Sequence, residues 1–215
     1  IQCSVNEIYN VKKNLEKKIE NFISTEIEWI PLNSVVISKE KNEDLVKFAY
    51  ERKEADEGVK NSNYIGWQSG SIHYNDNETF DRLVEAITGH VEDCRQLVKL
   101  PPLQLYNIWI NVNSPGAYNH LHNHPLSLLS GVYYVKSTEE QGNIFFERSD
   151  GAEYFLPPME KPNYFTSTAT TYKAMTGAIY IFPGWLKHSV QPNLTKEDRI
   201  SISFNYGIKP KEVVK

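Results

Sequence analysis

Residues 114–125 read SPGAYNHLHNHP, and the organisation of the rest of the chain follows from this segment. It holds three of the six histidines of the 215-residue sequence, His120, His122 and His124, each two residues after the last. Alternate side chains of an extended strand point to the same face, so this spacing predicts a strand that presents its imidazoles together. A neutral imidazole is the commonest protein ligand for transition metals, and the segment is therefore a candidate metal site. Clustered histidines on a solvated loop are the alternative interpretation of the segment taken alone.

A metal site needs at least one more ligand than this strand supplies. The best candidate is His188 in the segment FPGWLKHSV (182–190), a lone histidine just past an apolar run with strand character. We therefore expect the fold to bring His122 and His188 together.

The composition is that of a globular chain, with 40% hydrophobic residues and enough length to bury one sizeable core. A net charge of −4 argues against a surface for nucleic acid or anionic membrane, because phosphate would find no counter-charge there. The sequence contains no run of about 18 apolar residues and no signal-peptide pattern, so no membrane span is predicted. Two widely spaced cysteines, Cys3 and Cys94, favour a reducing, cytoplasmic compartment. The sequence begins with Ile1, which leaves a removed targeting segment open.

Helical periodicity recurs in the N-terminal half of the chain. The predicted helices span about residues 8–24, 42–53 and 76–100. The last of these is the longest and carries an apolar stripe that is most simply core, with Cys94 buried on it. Asp76 or Asn77 would cap this helix, and Pro101 would end it.

After Pro102 the sequence pattern changes to that of short strands without helices between them, which is typical of a β-sandwich or β-barrel. The predicted strands span residues 103–113, 129–136, 143–147, 178–182 and 199–206. The connection from Arg148 to Gly177 is rich in proline, threonine and aromatic residues. Such a long connection is often a lid or binding loop, with disorder as the alternative.

The first and last of these strands each have one apolar and one polar face. In the last strand Ile200, Ile202, Phe204 and Tyr206 alternate with Arg199, Ser201, Ser203 and Asn205. In the first, Tyr106, Ile108, Ile110 and Val112 alternate with Asn107, Trp109, Asn111 and Asn113. Solvent exposure is the ordinary interpretation of a polar face. If the N-terminal helices cover the apolar faces, however, the polar faces turn inward, and Arg199 with Ser201 can grip a small carboxylic acid.

Several motifs occur in the order found in a known family. They are Ser62-Asn63 followed by GWQS at 66–69, Trp109-x-Asn111, His122-x-His124-Pro125, SGVYYV at 130–135 and RISISFN at 199–205. Together they resemble the 2-oxoglutarate/Fe(II)-dependent oxygenase family of bacteria and phages, in its prolyl-hydroxylase-like branch. The resemblance implies a double-stranded β-helix (jelly-roll) core at 103–215. Residues 1–102 would form a helical and strand support region on this core, in one mainly β domain with N-terminal helices (α+β).

The resemblance also implies the residues of the site. Fe(II) would be bound by His122, His124 and His188, and 2-oxoglutarate by Arg199, Ser201, Tyr134 and Asn111. His124 stands where most of the superfamily has a metal-binding carboxylate. Either His124 binds iron, which we favour, or that position is left to water or to a carboxylate such as Glu147 or Asp150. His120 is expected to support the ligands without binding the metal.

The implied function is an oxygenase that uses O2 and the co-substrate 2-oxoglutarate to hydroxylate a C–H bond. Its substrate, a small molecule or a peptide, is not named by the sequence, and no pattern indicates an oligomeric state. A cupin-type metal dioxygenase, isomerase or small-molecule binder is the alternative, because Gly116-x5-His122-x-His124 also matches the first cupin motif. Against it, residues 125–131 lack the glutamate expected there, and a cupin has no particular need for Arg199. A metal-free binding module is the third interpretation.

Overall fold

A computed structural model of the chain describes residues 28–30, 39–147 and 168–209. The helix predicted at 8–24 and residues 148–167 of the predicted loop lie outside these residues, as do Cys3 and Asp150. The two α-helices described are α1 (Lys39–Ala55) and α2 (Glu78–Leu97), and a 3-10 helix spans Glu139–Gln141. The strands are β1 (Glu28–Ile30), β2 (Asn63–Tyr64), β3 (Trp67–Gln68), β4 (Leu103–Asn113), β5 (Tyr118–His122), β6 (Leu129–Lys136), β7 (Ile144–Glu147), β8 (Ala169–Tyr172), β9 (Ile179–Pro183), β10 (His188–Val190) and β11 (Arg199–Ile208).

These strands form two antiparallel sheets. In the described part of the chain the larger sheet has the order β1-β9-β6-β11-β4-β3, and the smaller has the order β2-β5-β10-β7-β8. Most neighbours are distant in sequence, as in a jelly roll. The predicted fold class, a mainly β jelly-roll core with N-terminal helices, is confirmed. β4 and β6 have their predicted bounds, while the division of the chain at residue 102 stays a prediction.

Helix α2 begins and ends within three residues of its predicted bounds. The side chain of Asn77 caps it by accepting a hydrogen bond from the backbone N of Phe80 at 2.9 Å. The buried residues of its apolar stripe are Phe80, Leu83, Val84, Ile87 and Val91. Cys94, expected to be buried, is half-buried at the edge of this stripe. Neither described helix is long and apolar enough to cross a membrane.

The apolar faces of β4 and β11 pack against the two helices. One buried cluster contains Ile108, Ile110 and Val112 of β4, Ile200, Ile202 and Phe204 of β11, Leu45 and Phe48 of α1, and the α2 stripe. Because side chains alternate along a strand, covering these faces turns the opposite, polar faces toward the smaller sheet. The inward orientation expected from the sequence is the one observed.

Tyr106 departs from the predicted alternation. The β4–β11 register pairs Asn205 with Asn107 but Tyr206 with Leu105, so Tyr106 is an extra residue in β4. A bulge of this kind reverses the facing of the side chains beyond it. Tyr106 is therefore 48% exposed, and Leu105 packs against the core instead.

Asn42 joins α1 to β6 inside the core. Its Nδ2 donates to the carbonyl O of Val135, and its Oδ1 accepts from the hydroxyl of Tyr133 at 2.9 Å. An amide suits this position because it is both a donor and an acceptor. The helix is thereby fixed to a central strand of the larger sheet.

Replacing Asn42 by alanine should lower the free energy of unfolding by about 1–3 kcal/mol, because a buried carbonyl and a buried hydroxyl lose their partner. Denaturant unfolding of the variant and the parent protein measures the loss. Lys47→Ala, which removes an exposed ion pair with Glu51, is the control and should cost less than about 0.5 kcal/mol. Equal losses for the two variants would contradict the role given to Asn42.

Candidate active site

The pairing of two short strands brings His122 and His188 together. β5 ends at His122, β10 begins at His188, and the two residues are direct partners in the antiparallel register. Their ring centroids are 4.3 Å apart. Two histidines that are far apart in sequence thus meet, as their surroundings in the sequence led us to expect.

His124 reaches the same place from the loop after β5, not from the strand that was expected to carry it. Its backbone N donates to the carbonyl O of Gly184 at 2.8 Å, which ties the loop to the turn after β9. Its imidazole stacks on that of His188, with the Nε2 atoms 3.2 Å apart. The ring of Trp109 lies 5.8 Å from that of His124.

His120 does not share the face of His122, contrary to the prediction that the three imidazoles lie together. Where β5 pairs with β10, it contains one residue more than its partner. This bulge reverses the alternation of side chains within β5. The side chain of His120 is exposed and packs against the rings of Tyr118 and Tyr64, at 4.9 and 6.1 Å.

Backbone carbonyls fix the protonation of two imidazoles. Nδ1 of His122 is 2.6 Å from the carbonyl O of His120, and Nδ1 of His188 is 3.0 Å from that of Leu186. A carbonyl oxygen only accepts hydrogen bonds, so each Nδ1 carries the proton and each Nε2 keeps its lone pair. Protein metal ligands are commonly oriented in this way. His120 therefore supports its neighbour through its backbone.

His122, His124 and His188 are here called the histidine cluster. One ring nitrogen of each lies within 4.8 Å of the other two, so the three residues can share one metal ion. Burial lowers the pKa of each imidazole, that of His124 to about 4 and that of His188 to about 3. The imidazoles are therefore neutral at pH 7, which is the form that binds a metal cation.

Arg199 is 2% exposed at the start of β11. Its Nη1 donates to the carbonyl O atoms of Gln141, of Gly142 at 3.4 Å and of Gln191 at 3.1 Å. Its Nη2 is also buried and has no hydrogen-bond partner within the described residues. Burial lowers the pKa of the guanidinium, but an arginine stays charged in a protein. Burying an unpaired charge costs free energy, so the guanidinium is suited to binding an anion beside it.

Three further candidates lie next to Arg199 on the inner face of the larger sheet. Ser201 pairs with Asn111 on β4 and with Tyr134 on β6, so the three side chains form a polar row across the sheet. The Tyr134 hydroxyl and the Asn111 Oδ1 are buried and lack partners in the described part of the chain. Nδ2 of Asn111 donates to Oγ of Ser203 at 3.1 Å. Burial raises the pKa of Tyr134 to about 12, so its hydroxyl keeps a proton to donate.

One cavity connects the histidine cluster to the polar row. Its lining consists of Ser62, Trp109, Asn111, Asn119, His122, His124, Gly131, Val132, Tyr134, Ile144, Phe182, His188, Val190, Arg199, Ser201 and Ser203. Among the described residues, therefore, no acidic side chain lines it. Glu147, the carboxylate considered as an alternative ligand, lies outside the lining, 4.0 Å from Nζ of Lys187.

Sequence reasoning missed two features of this site. The carbonyls around Arg199 belong to the main chain, and no side-chain pattern reveals them. Ser62 and Asn119 line the cavity and are hydrogen-bonded, with Nδ2 of Asn119 donating to Oγ of Ser62 at 3.2 Å. Ser62 belongs to a motif that did signal its importance. The sequence did not indicate Asn119, because residues 119 and 122 lie on opposite faces of a regular strand. The bulge in β5 places their side chains on the same side.

Residues 107–205 match the model of a protein family described as "Putative 2OG-Fe(II) oxygenase". The matched segment runs from β4 to β11 and contains the histidine cluster, Arg199 and the polar row. Over this segment, which is just under half of the chain, the protein is similar to the 2OG-Fe(II) oxygenase family. The resemblance drawn from the motifs is thereby confirmed, and with it the enzyme class.

Solved structures of other proteins share the fold of this chain. A prolyl-4-hydroxylase of Pseudomonas putida has a TM-score of 0.65 at 13% identity and covers 89% of this chain and 96% of its own. HygX of Streptomyces hygroscopicus, with nickel and 2-oxoglutarate bound, has a TM-score of 0.62 at 13% identity, covering 97% and 88%. A viral collagen prolyl hydroxylase of Paramecium Bursaria Chlorella virus-1, in complex with 2-oxoglutarate, has a TM-score of 0.58 at 14% identity, covering 85% and 96%. At such identities the likeness shows the fold alone.

A short segment of the chain is also similar to a protein of another kind. Over 48 residues it is 69% identical to a probable transcriptional regulatory protein of Pelagibacter ubique (strain HTCC1062). The match covers 22% of this chain and 20% of that protein, so the chain spans about a fifth of the relative's length. A match of this extent does not transfer an activity.

The low pKa of His188 predicts that the metal-free protein is sensitive to acid. The unfolded chain protonates this imidazole near pH 6.5, whereas the folded protein does so only near pH 3. Between these values the unfolded state binds more protons, so stability is complete above pH 6.5 and falls as the pH decreases. Between pH 7 and pH 5, the parent protein should lose about 2 kcal/mol more unfolding free energy than a His188→Asn variant. Denaturant unfolding at both pH values measures this, and parallel losses would contradict the assignment.

Proposed function

We propose that this protein is an Fe(II)- and 2-oxoglutarate-dependent oxygenase that couples decarboxylation of 2-oxoglutarate to hydroxylation of a C–H bond in a second substrate. One observation carries the proposal. The histidine cluster and the buried guanidinium of Arg199, whose Nη2 has no partner among the described residues, open onto the same cavity. The match of residues 107–205 to the family model supports it.

His122, His124 and His188 are the proposed ligands of iron(II). The three imidazoles would hold the metal and leave it able to bind further ligands, as the three-residue sites of non-haem iron oxygenases do. The carbonyl contacts of two Nδ1 atoms support this assignment, because they direct the lone pairs of Nε2 away from the backbone. The cluster fits the metal in ligand type and in spacing.

Arg199, Tyr134 and Ser201 are proposed to bind the distal carboxylate of 2-oxoglutarate. The guanidinium and the two hydroxyls offer hydrogen bonds to an anion, and those from the guanidinium are charge-assisted. The carboxylate would in turn give Nη2 of Arg199 and the hydroxyl of Tyr134 the acceptor that the described residues do not provide. Asn111, which lies in the same row, is assigned to the same binding group.

Iron bound at this site supplies the oxygen chemistry. The chain positions the reactants: backbone carbonyls hold two imidazoles, and the polar row sets where 2-oxoglutarate lies relative to them. The rings of Phe182 and Phe146, with centroids 4.6 and 5.9 Å from that of His188, limit access of water to the cluster.

The alternative is a cupin-type enzyme that does not use 2-oxoglutarate, but such an enzyme would not need the buried charge of Arg199. A metal-free binding module would not need the fixed orientation of the His122 and His188 imidazoles.

The substrate is proposed to be a small molecule or a peptide. Nucleic acid is not proposed, because the net charge is −4. The proposed compartment is the cytoplasm, on the basis of the cysteine content.

The decisive experiment is an anaerobic absorption titration of metal-free protein with iron(II) and then with 2-oxoglutarate. We expect a weak visible charge-transfer band on addition of 2-oxoglutarate, and its loss with release of succinate when oxygen is admitted. If iron binds and 2-oxoglutarate leaves the spectrum unchanged, the cupin interpretation replaces this proposal.

Variants separate the two halves of the site. His122→Ala and His188→Ala should abolish iron binding, whereas Arg199→Ala should keep iron and weaken 2-oxoglutarate binding at least ten-fold, because charge-assisted hydrogen bonds are lost. Metal analysis and the same titration measure both effects. Arg82→Ala, which removes an exposed helical ion pair with Glu78, is the control and should change neither. Unchanged 2-oxoglutarate affinity in Arg199→Ala would contradict the assignment.

His124→Asp tests whether the third position accepts the carboxylate that most of the superfamily has there. We expect the variant to retain iron, because an aspartate oxygen is a suitable ligand on the same loop. Metal analysis after anaerobic loading measures retention. Complete loss of iron would show that the cavity is built for imidazole at this position.

A further inference from the structure

The cavity contains one permanent charge among its described lining residues, the guanidinium of Arg199, and no acidic side chain. An imidazole binds a metal in its neutral form, so the histidine cluster adds no charge to the loaded site. The nearby pair of Glu147 and Lys187 lies outside the lining and is oppositely charged. The charge of the loaded site is therefore set by Arg199, the metal and the co-substrate.

These charges do not cancel. Iron(II) brings two positive charges and Arg199 adds a third, while the two carboxylates of 2-oxoglutarate offset two of them. A carboxylate in place of His124 would offset the last. In a partly closed cavity with low-dielectric walls, the remaining positive charge attracts an anion far more strongly than it would in water.

A second observation concerns the wall formed by the loop before β2 and by β5. Nδ2 of Asn113 donates to Oδ1 of Asn119 at 3.2 Å, and Nδ2 of Asn119 donates to Oγ of Ser62 at 3.2 Å. Ser62 is thus the acceptor at the end of this chain of hydrogen bonds. Within the described residues its own hydroxyl proton has no acceptor and can be donated to a ligand in the cavity. Neither Ser62 nor Asn119 belongs to the strands that carry Arg199 and Tyr134.

We propose that the primary substrate of this oxygenase carries a carboxylate group, which binds in the cavity together with 2-oxoglutarate and accepts a hydrogen bond from Ser62. This inference rests on the proposed function. A single surplus charge matches a monoanion such as a carboxylate. A phosphate monoester, with roughly two negative charges at pH 7, would exceed it.

The test uses the full chain, loaded anaerobically with iron(II) and saturated with 2-oxoglutarate, so that no turnover occurs. The probes are matched pairs, each a carboxylate and its uncharged amide: formate with formamide, benzoate with benzamide, and N-acetylproline with its amide. Ligand-observed NMR or calorimetry gives the affinities, and the visible band shows that 2-oxoglutarate stays bound. We expect at least one carboxylate to bind ten-fold or more tightly than its amide. If none of the carboxylates does so, the inference is wrong.

A pair of variants at Ser62 isolates the charge without touching the proposed metal ligands. Ser62→Asp and Ser62→Asn differ in one negative charge and little in shape. The preference is the ratio of the affinity for a carboxylate to the affinity for its amide. This ratio should be at least five-fold lower in the aspartate variant than in the asparagine variant, whose side chain still offers a hydrogen-bond donor. His124→Asp, if it retains iron, should lose the preference as well. Equal preferences in the two Ser62 variants would overturn the inference.

The outcomes also distinguish this inference from the proposed function. If 2-oxoglutarate produces no band, the proposed function fails before any probe is added. If the band forms and no preference is found, only the inference about the substrate fails. If a carboxylate probe abolishes the band, it competes with 2-oxoglutarate at Arg199, and the inference fails in that case too.

Discussion

A guanidinium buried between two β-sheets is the constraint on which much of this structure depends. Arg199 is held by the carbonyls of Gln141, Gly142 and Gln191, so the segments before β7 and after β10 must meet beside the start of β11. Gly142 makes that meeting possible: its φ is +86°, and a Cβ there would collide with the carbonyl O of Gln191. These neutral carbonyls orient the charge without neutralising it, which leaves the guanidinium suited to an anionic ligand.

Each of the two sheets supplies a different group of residues to the site. The smaller sheet supplies two of its histidines through a direct cross-strand pair, and the larger supplies Arg199 and the polar row through neighbouring strands. Between them lies an apolar cluster that includes Val132, Phe146 and Phe182. Close packing of these side chains fixes the separation of the sheets, because protein interiors tolerate little change in volume. The relative position of metal ligands and co-substrate ligands is thus a property of the core.

Charge distinguishes the histidine cluster from the two-histidine, one-carboxylate site of non-haem iron oxygenases. An all-imidazole cluster keeps the number of donor atoms while removing a negative charge from the metal. The fold accommodates this easily, because His124 is placed by a loop hydrogen bond to Gly184 and not by a strand register. Electrostatics can therefore change at this position without a change in architecture, and charge in so enclosed a site has strong effects on ligand affinity.

The meeting of His122 with His188 was expected because a metal site needs a ligand from outside the histidine-rich strand. The sequence by itself also determined the helices α1 and α2, the strands β4, β6, β7, β9 and β11, and the apolar and polar faces of β4 and β11 over most of their length. These are local properties, because alternation along a strand and periodicity along a helix are written in neighbouring residues. The tertiary structure alone decided that His120 turns away, that Tyr106 is exposed and that Asn119 lines the cavity. Each follows from a bulge, and a bulge exists only through pairing with another strand. The carbonyls around Arg199 were equally hidden, because every residue has a carbonyl and only folding decides which of them converge.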